Sequence, residues 1–347
     1  MKKILLSLLL LLAGLTAQAQ TTLVATLIDT EGNVEGTFYG ADALKDAHTS
    51  ASHGYTIVLS PGQFNAGFTF NKLITIRGAG MTDVPEKSIH STVLNGIPTF
   101  SFSPSLQEYS TTSYRLKLEG VCIRERINFA NNCGLKDAQF LKCCISDMSY
   151  FSANIGWTNV SFVDCYILGH INIPNNSSVS FYNSVIKLIS SKTQSSTVFM
   201  MNCVAKLNGG DGWTPGIVQG QLCNSFLLNG MLDYYPPASV DCQNCYSTNS
   251  DMFVNQTGQS NTALSVGINT IFANFDGTNW TDTYDFYKLT TGAAGTLLGG
   301  DGKQMGIYGG LVPFSPLTSA PQVTKFEAPE STTNGILPVS IKVEMPQ

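Results

Sequence analysis

A recurring eight-residue pattern constrains the fold of this chain more than any other feature of its sequence. The pattern occurs seven times between residues 116 and 247, for example as VSFVDCYI over 160–167 and VSFYNSVI over 179–186. The sixth residues of the copies lie 22, 22, 19, 19, 22 and 20 positions apart, and they are Val121, Cys143, Cys165, Ser184, Cys203, Ser225 and Cys245. A steady period near 20 residues is typical of a solenoid, in which each repeat buries its apolar side against its neighbours.

Each copy of the pattern predicts two short strands joined by a bend. Positions 1 and 3 are apolar, as in Val160 and Phe162, and positions 6 and 8 are apolar or small, as in Cys165 and Ile167. This alternation indicates strands with those side chains inside. Position 5 is Asn or Asp in five consecutive copies, and we expect an asparagine ladder that hydrogen-bonds the bend and the next coil. Its members are Asp164, Asn183, Asn202, Asn224 and Asn244.

A third strand completes each predicted coil. Apolar residues at Ile127 and Phe129, at Phe151, and at Ile171 and Ile173 mark it. Parallel strands connected in this way coil right-handedly by strong preference. The sequence therefore predicts an all-β fold, a right-handed single-stranded parallel β-helix with an N-terminal capping helix and a short C-terminal β appendage.

The segments before the repeat predict that cap and the first coils. Residues 40–50 have a helix-forming composition, and a helix there would cover the exposed edge of the first coil. The runs HGYTIVLSPGQF, LITIRGAG and TVLNG follow. Together they resemble the opening coils of secreted bacterial proteins of the pectate-lyase-like β-helix superfamily, and DGKQMGIYGG over 301–310 is similar to a closing motif of uncharacterised members. The resemblance implies the fold but no single activity, because members include polysaccharide lyases, hydrolases, esterases and adhesins.

The two ends of the chain differ from the repeat region. Residues 1–19 combine two lysines, an apolar run and an Ala-Gln-Ala site, which predicts a secretory signal peptide. The apolar run is too short to span a bilayer. We expect the β-helix domain, with its cap, over 20–310. Residues 311–347 are predicted as a proline-punctuated linker and a β appendage, with strands at 323–326 and 337–343.

The net charge of the chain limits the kinds of binding partner that we expect. Without the two lysines of the signal, 17 of the 19 basic residues remain against 24 acidic ones, which gives a balance of −7. This balance argues against nucleic acid as a partner. Secretion to an extracellular space or the cell surface is expected, with the periplasm as an alternative.

The nine cysteines are interpreted through the repeat. Four of them, Cys143, Cys165, Cys203 and Cys245, occupy the same inward position, where a small thiol packs well. We expect mostly free, buried thiols, although neighbouring coils are close enough for a disulfide between Cys143 and Cys165. No metal site is predicted, since Cys242 and Cys245 form a CxxC without a second pair at ligand spacing.

One group of charged residues could support catalysis. Arg126, Asp147 and His170 lie beside or on the third strand of three adjacent coils, together with Arg124 and Glu125. An acid, a base and a cation could converge there, which is the minimum for general acid–base work. The alternative is a solvated surface whose charges pair across coils. Asp164 is interpreted as a structural residue of the ladder.

A second group suggests a binding surface. The loops GGDGW and MLDYY repeat an Asp-x-aromatic pattern 22 residues apart, at Asp211, Trp213, Asp233 and Tyr235. Stacked aromatic rings and carboxylates are suited to sugar recognition. The alternative is that both aromatics simply cover apolar surface. Calcium is a weaker alternative, because its sites need 6 to 8 oxygens and only two carboxylates are evident.

Three functions follow as hypotheses. The first is a secreted or surface-exposed protein that binds a glycan or another surface component without cleaving it. The second is a polysaccharide lyase or glycoside hydrolase with an atypical active site around Arg126 and His170. The third is a structural or adhesive surface protein whose terminal appendage makes the contacts. The sequence does not predict the glycan or the oligomeric state.

Overall fold

The chain folds into a parallel β-solenoid of about seven turns. The computed structural model describes residues 23–87, 89–102, 114–131, 133–148, 155–191, 195–207, 217, 219–228, 239–247, 253, 260–263, 266–318, 322–327 and 340–344. The predicted signal peptide at 1–19 lies outside these residues. The predicted fold class, a parallel β-helix, is confirmed.

Sheet A is the first long sheet of the solenoid. Its strands contain positions 1 to 4 of the repeated pattern, and pairing is parallel from the third strand onward. Their spatial order is Val34–Tyr39, Val24–Ile28, Thr56–Leu59, Thr75–Arg77, Lys117–Glu119, Gln139–Leu141, Val160–Val163, Ser178–Tyr182, Thr197–Met201, Gln219–Cys223 and Ser239–Gln243.

Sheet B is the second long sheet and follows the bend. Its strands begin at position 7 of the pattern and pair in parallel, with Cys122 beside Cys144 and Cys144 beside Tyr166. They are Gly62–Asn65, Thr92–Asn95, Cys122–Arg126, Cys144–Asp147, Tyr166–Ile173, Val185–Ser191, Val204–Leu207, Phe226–Leu228, Tyr246–Ser247 and Thr262–Ala263.

Shorter strands form the third side of the coils. The strands Thr69–Phe70, Thr99–Phe100 and Asn128–Phe129 pair with one another, and so do Leu135–Lys136 and Trp157–Thr158. The predicted third strand is therefore present near Ile127 and Phe129. At Ile171 and Ile173 it is the continuation of the sheet B strand Tyr166–Ile173. Phe151 lies outside the described residues.

The interior of the solenoid contains columns of like residues. Phe140, Phe162 and Phe181 stack at ring-centroid distances of 4.7 and 5.0 Å. The four thiols predicted to face inward are fully buried, and all nine cysteines are free. Both predictions about cysteine are confirmed, and the alternative disulfide between Cys143 and Cys165 is not formed.

A helix and a hairpin close the N-terminal end. The helix Ala43–Ser50 buries Leu44 and His48 against the first coil, which confirms the predicted cap. The strands Val24–Ile28 and Val34–Tyr39 form an antiparallel hairpin on the edge of sheet A. The sequence analysis did not identify this hairpin.

The bend between sheets A and B has the same backbone conformation in all seven copies of the repeat. Its residues have φ between +47° and +65°, in the left-handed region that Asn and Gly tolerate best. They are Gly120, Lys142, Asp164, Asn183, Asn202, Asn224 and Asn244. The column is therefore confirmed, but its physical reason differs from the prediction. Within the described coils no hydrogen bond joins Asn183, Asn202 and Asn224, so the predicted amide ladder is wrong.

Residues 266–318, called the strap below, leave the coil and pack along the outside of the solenoid. The strap includes the short helices Ile268–Ile271 and Thr291–Thr296. It covers the outer face of sheet B and then follows the bend towards the N-terminal turns. Asn224 accepts a hydrogen bond from Gly300 N, Lys142 Nζ donates to Leu317 O, and Thr318 lies beside Gly120. The strap extends past the predicted boundary at residue 310.

The chain ends in two antiparallel strands. Gln322–Glu327 pairs with Ser340–Glu344, close to the strands predicted for the appendage. In the part of the chain that the structure describes, no helix is both long and apolar enough to cross a bilayer.

Candidate functional site

The structure brings the three catalytic candidates together on sheet B. Arg126 and Asp147 are register partners on neighbouring strands. His170 lies on the next strand, and its backbone N–H donates to Asp147 Oδ2 over 3.2 Å. The parallel register of sheet B thus places the three residues on consecutive turns. Arg124, Glu125 and Arg126 are exposed, while Asp147 and His170 are half-buried.

The imidazole of His170 contacts the following turn. Its Nε2 lies 2.7 Å from Ser190 Oγ, and Ser190 Oγ lies 3.4 Å from Asn172 Oδ1. Ser190 is buried, so its hydroxyl can orient the imidazole but is inaccessible to a substrate. Asp147 accepts from the backbone of His170, so this hydrogen bond does not polarise the ring. The group can therefore supply a positioned histidine and an arginine, but not the geometry of a serine–histidine–aspartate triad.

The second predicted site lies outside the described residues. This applies to Asp211, Trp213, Asp233 and Tyr235 alike. The glycan-binding loop pair and its calcium alternative remain predictions.

Sheet A offers a second candidate surface, one that the sequence analysis did not identify. Tyr182 and Phe199 lie on neighbouring strands with their ring centroids 5.4 Å apart and their planes inclined by 46°. Both side chains are half-buried and occupy outward positions. The signal was present in the sequence, because positions 2 and 4 of each copy must face outward when positions 1 and 3 face inward.

The residues around this aromatic pair are mainly uncharged. One outward column runs through the register partners Ser161, Ser180, Phe199, Gln221 and Asp241. Strands are about 4.8 Å apart, so these five turns span roughly 19 Å. The carboxylate of Asp241 accepts from Gln243 Nε2 at 2.7 Å. The surface is a strip of hydroxyl, amide and aromatic groups that ends in one carboxylate.

The charges of sheet A are concentrated at its other end. Glu119 is buried, and its Oε2 lies 3.2 Å from Lys117 Nζ and 3.4 Å from Arg77 Nε. These pairs compensate the buried carboxylate locally. The strands Ser178–Tyr182, Thr197–Met201 and Gln219–Cys223, which surround Phe199, contain no charged residue.

The outer face of sheet B, by contrast, is covered by the strap. Its position 7 residues form a second apolar cluster with strap residues, including a T-shaped contact of 5.1 Å between the rings of Phe226 and Phe272. The covered residues are Cys122, Cys144, Tyr166, Val185, Val204 and Phe226. Large apolar residues at a position that should face water were the signal for this cover.

Asp164 lies where the strap follows the bend. Burial raises the pKa of its carboxyl to about 7, while the nearby charge of Lys142 and a hydrogen bond from Ser315 N act in the opposite direction. Its predicted structural role is consistent with this contact, although the N–H group that it binds belongs to the strap.

Comparison with known proteins adds no assignment, since no protein-family model, curated protein or solved structure matches the chain.

Proposed function

We propose that this protein is a secreted or surface-exposed β-helix that binds an uncharged glycan along the outer face of sheet A and does not cleave it. The observation that carries the proposal is the pair Tyr182 and Phe199 on a long and nearly uncharged strip. Membership of the pectate-lyase-like superfamily and secretion are parts of the same proposal, supported by the resemblance of the opening coils and by the N-terminal sequence.

The chemistry of the strip suits a sugar chain. The face of an aromatic ring is electron-rich and attracts the C–H groups on the apolar face of a pyranose. Hydroxyl and amide side chains both donate and accept hydrogen bonds, as sugar hydroxyls do. Ser180 and Gln221 are the register partners of Phe199 on either side, so ring stacking and hydrogen bonding are available on three consecutive turns.

Affinity electrophoresis against a panel of neutral and acidic polysaccharides tests the proposal. We expect a neutral polysaccharide to retard the protein, and Phe199→Ala or Tyr182→Ala to weaken binding about tenfold, which corresponds to about 1.4 kcal/mol. Tyr39→Ala is the matched control, because Tyr39 is an exposed aromatic residue on the N-terminal hairpin. Equal retardation of Phe199→Ala and the unmodified protein would contradict the proposal, as would the absence of retardation by every polysaccharide.

A second candidate function is polysaccharide cleavage. It is favoured by the placement of Arg126, Asp147 and His170 on consecutive turns. Assays for new reducing ends and for unsaturated products on the same panel test it. Cleavage that disappears in His170→Ala but persists in His90→Ala, a change at an exposed histidine, would establish this function in place of simple binding.

A further inference from the structure

Two thiols of sheet B and a carboxylate of the strap meet on the side of sheet B that the strap covers. Cys122 and Cys144 are register partners on neighbouring strands of sheet B, and Asp282 belongs to the strap. One ligand atom from each residue lies within 4.8 Å of the other two. Both cysteines are buried and neither forms a disulfide. This spacing is close enough for one metal ion to contact all three.

A buried hydroxyl next to the cluster supplies an independent observation. Tyr166 is the register partner of Cys144 on the following strand, and its side chain is fully buried. Its hydroxyl has no hydrogen-bond partner. A buried polar group without a partner costs about 1 to 3 kcal/mol, so this hydroxyl indicates a missing interaction.

The ligand types select the class of metal. Thiolates favour zinc and softer ions, whereas calcium and magnesium favour oxygen ligands only. Two thiolates and a carboxylate carry three negative charges, and a divalent ion leaves one. The positive charge of Arg124 lies near Cys122 and offsets part of that remaining charge.

We propose that Cys122, Cys144 and Asp282 bind one zinc ion, with the Tyr166 hydroxyl beside the fourth position. Zinc sites with three protein ligands are common, and the fourth position is then taken by water or another oxygen. The ion would join two turns of sheet B to the strap. Its role is structural, because the site lies inside the apolar cluster beneath the strap.

Metal analysis of the full chain tests the proposal. The protein is purified without a histidine tag, supplied with zinc, dialysed and measured by mass spectrometry for metal content. We expect one zinc per chain, and a fall in the melting temperature on treatment with a chelator. Cobalt in place of zinc is expected to give the thiolate-to-metal charge-transfer absorption of a sulfur-bound ion.

Variants distinguish this site from adventitious binding. Cys144→Ser and Asp282→Asn should each lose the bound zinc, and Asp282→Asn is nearly isosteric, so its fold is expected to persist by circular dichroism. Cys223→Ala is the matched control, because Cys223 is a half-buried thiol on sheet A and outside the cluster. The proposal is overturned if the variants retain zinc as the unmodified protein does, if no zinc survives dialysis, or if peptide mapping finds Cys122 and Cys144 joined by a disulfide.

Discussion

The two long sheets of this protein are built from the same repeat, yet one outer face is covered and the other is open. In sheet A the outward residues are mainly Ser, Gln and scattered apolar residues, as at Ser161, Ser180 and Gln221. In sheet B the outward residues at position 7 of the pattern are apolar, and the strap covers them. Sheet B strands therefore begin as continuous apolar runs, such as the fully buried run Cys165 to Ile167.

The difference shows how the outward-facing residues decide whether a face of the solenoid is covered or exposed. A strand with one buried face alternates, while a strand buried on both faces is apolar throughout. In both sheets, the inward-facing side chains stack from turn to turn and form the core of the solenoid. The outer column decides whether a face binds the rest of the chain or remains available to a partner, which in this protein concentrates the candidate binding surface on sheet A.

The largest expected effect on stability comes from replacing a phenylalanine on the covered face of sheet B, and a phenylalanine on the open face of sheet A is its comparison. Phe226→Ala removes a ring buried between sheet B and Phe272, and we expect it to lower the free energy of unfolding by about 3 to 5 kcal/mol. Phe199→Ala on the open face is expected to cost less than about 1 kcal/mol. Urea denaturation of both variants measures the contrast. Similar losses at the two positions would show that the faces are not different in burial.

The next largest effect is a pH dependence of stability that arises from Asp164, at the bend between sheets A and B. The pKa of Asp164 is about 7 in the folded protein against 3.8 for the exposed group. The folded state therefore holds a proton that the unfolded state releases, and stability should fall as pH rises from about 4 to about 7. Each pKa unit corresponds to about 1.4 kcal/mol, so the loss reaches up to about 4 kcal/mol.

Asp164→Asn is expected to abolish this dependence. The variant should match the unmodified protein near pH 4 and exceed its stability at pH 8, as measured by urea denaturation at each pH. Asp301→Asn, at an exposed carboxylate of the strap, controls for the loss of one negative charge. If the stability difference between Asp164→Asn and the unmodified protein were the same at every pH, the raised pKa of Asp164 would be contradicted.

The smallest effect separates backbone conformation from strap attachment. The side-chain Nδ2 of Asn183 donates to Ile307 O at 3.0 Å and to Val312 O at 2.8 Å. Asn183→Gly keeps the left-handed backbone but loses these bonds, and we expect a cost of about 1 to 2 kcal/mol. Asn183→Ala should cost about 1 kcal/mol more, because its φ of +47° disfavours alanine. Equal costs for the two variants would exclude a backbone contribution.

The coils were predictable because the residue pattern that forms them recurs at a nearly constant spacing along the chain. The seventh and eighth pattern residues, from Cys122 and Ile123 to Tyr246 and Ser247, are register partners from one copy of the repeat to the next. Arg126, Asp147 and His170 could be placed on consecutive turns by the same argument. The ladder interpretation failed because Asn is favoured at such bends for two reasons, its hydrogen bonds and its tolerance of positive φ, and the pattern does not distinguish them.

The strap and the zinc cluster were not predictable by this route. Asp282 lies 160 residues after Cys122 in a segment without periodicity, so no spacing connects them. The glycine-rich run at 299–310 overlaps DGKQMGIYGG at 301–310, which the sequence connects to the fold only through a resemblance. Its physical reason is a close backbone approach, since a Cβ on Gly310 would lie 2.3 Å from Asn202 Nδ2 and one on Gly299 would lie 2.7 Å from Asn224 Cγ.

The direction of the strap has a consequence for the order in which the molecule can assemble. The turns accumulate from the N-terminal cap onward through near-neighbour contacts, but Leu317 and Thr318 return to Lys142 and Gly120. Such pairings close very large loops and form slowly. During synthesis, the apolar side of sheet B therefore stays uncovered until the last quarter of the chain is released, and this interval is when the protein is most exposed to aggregation.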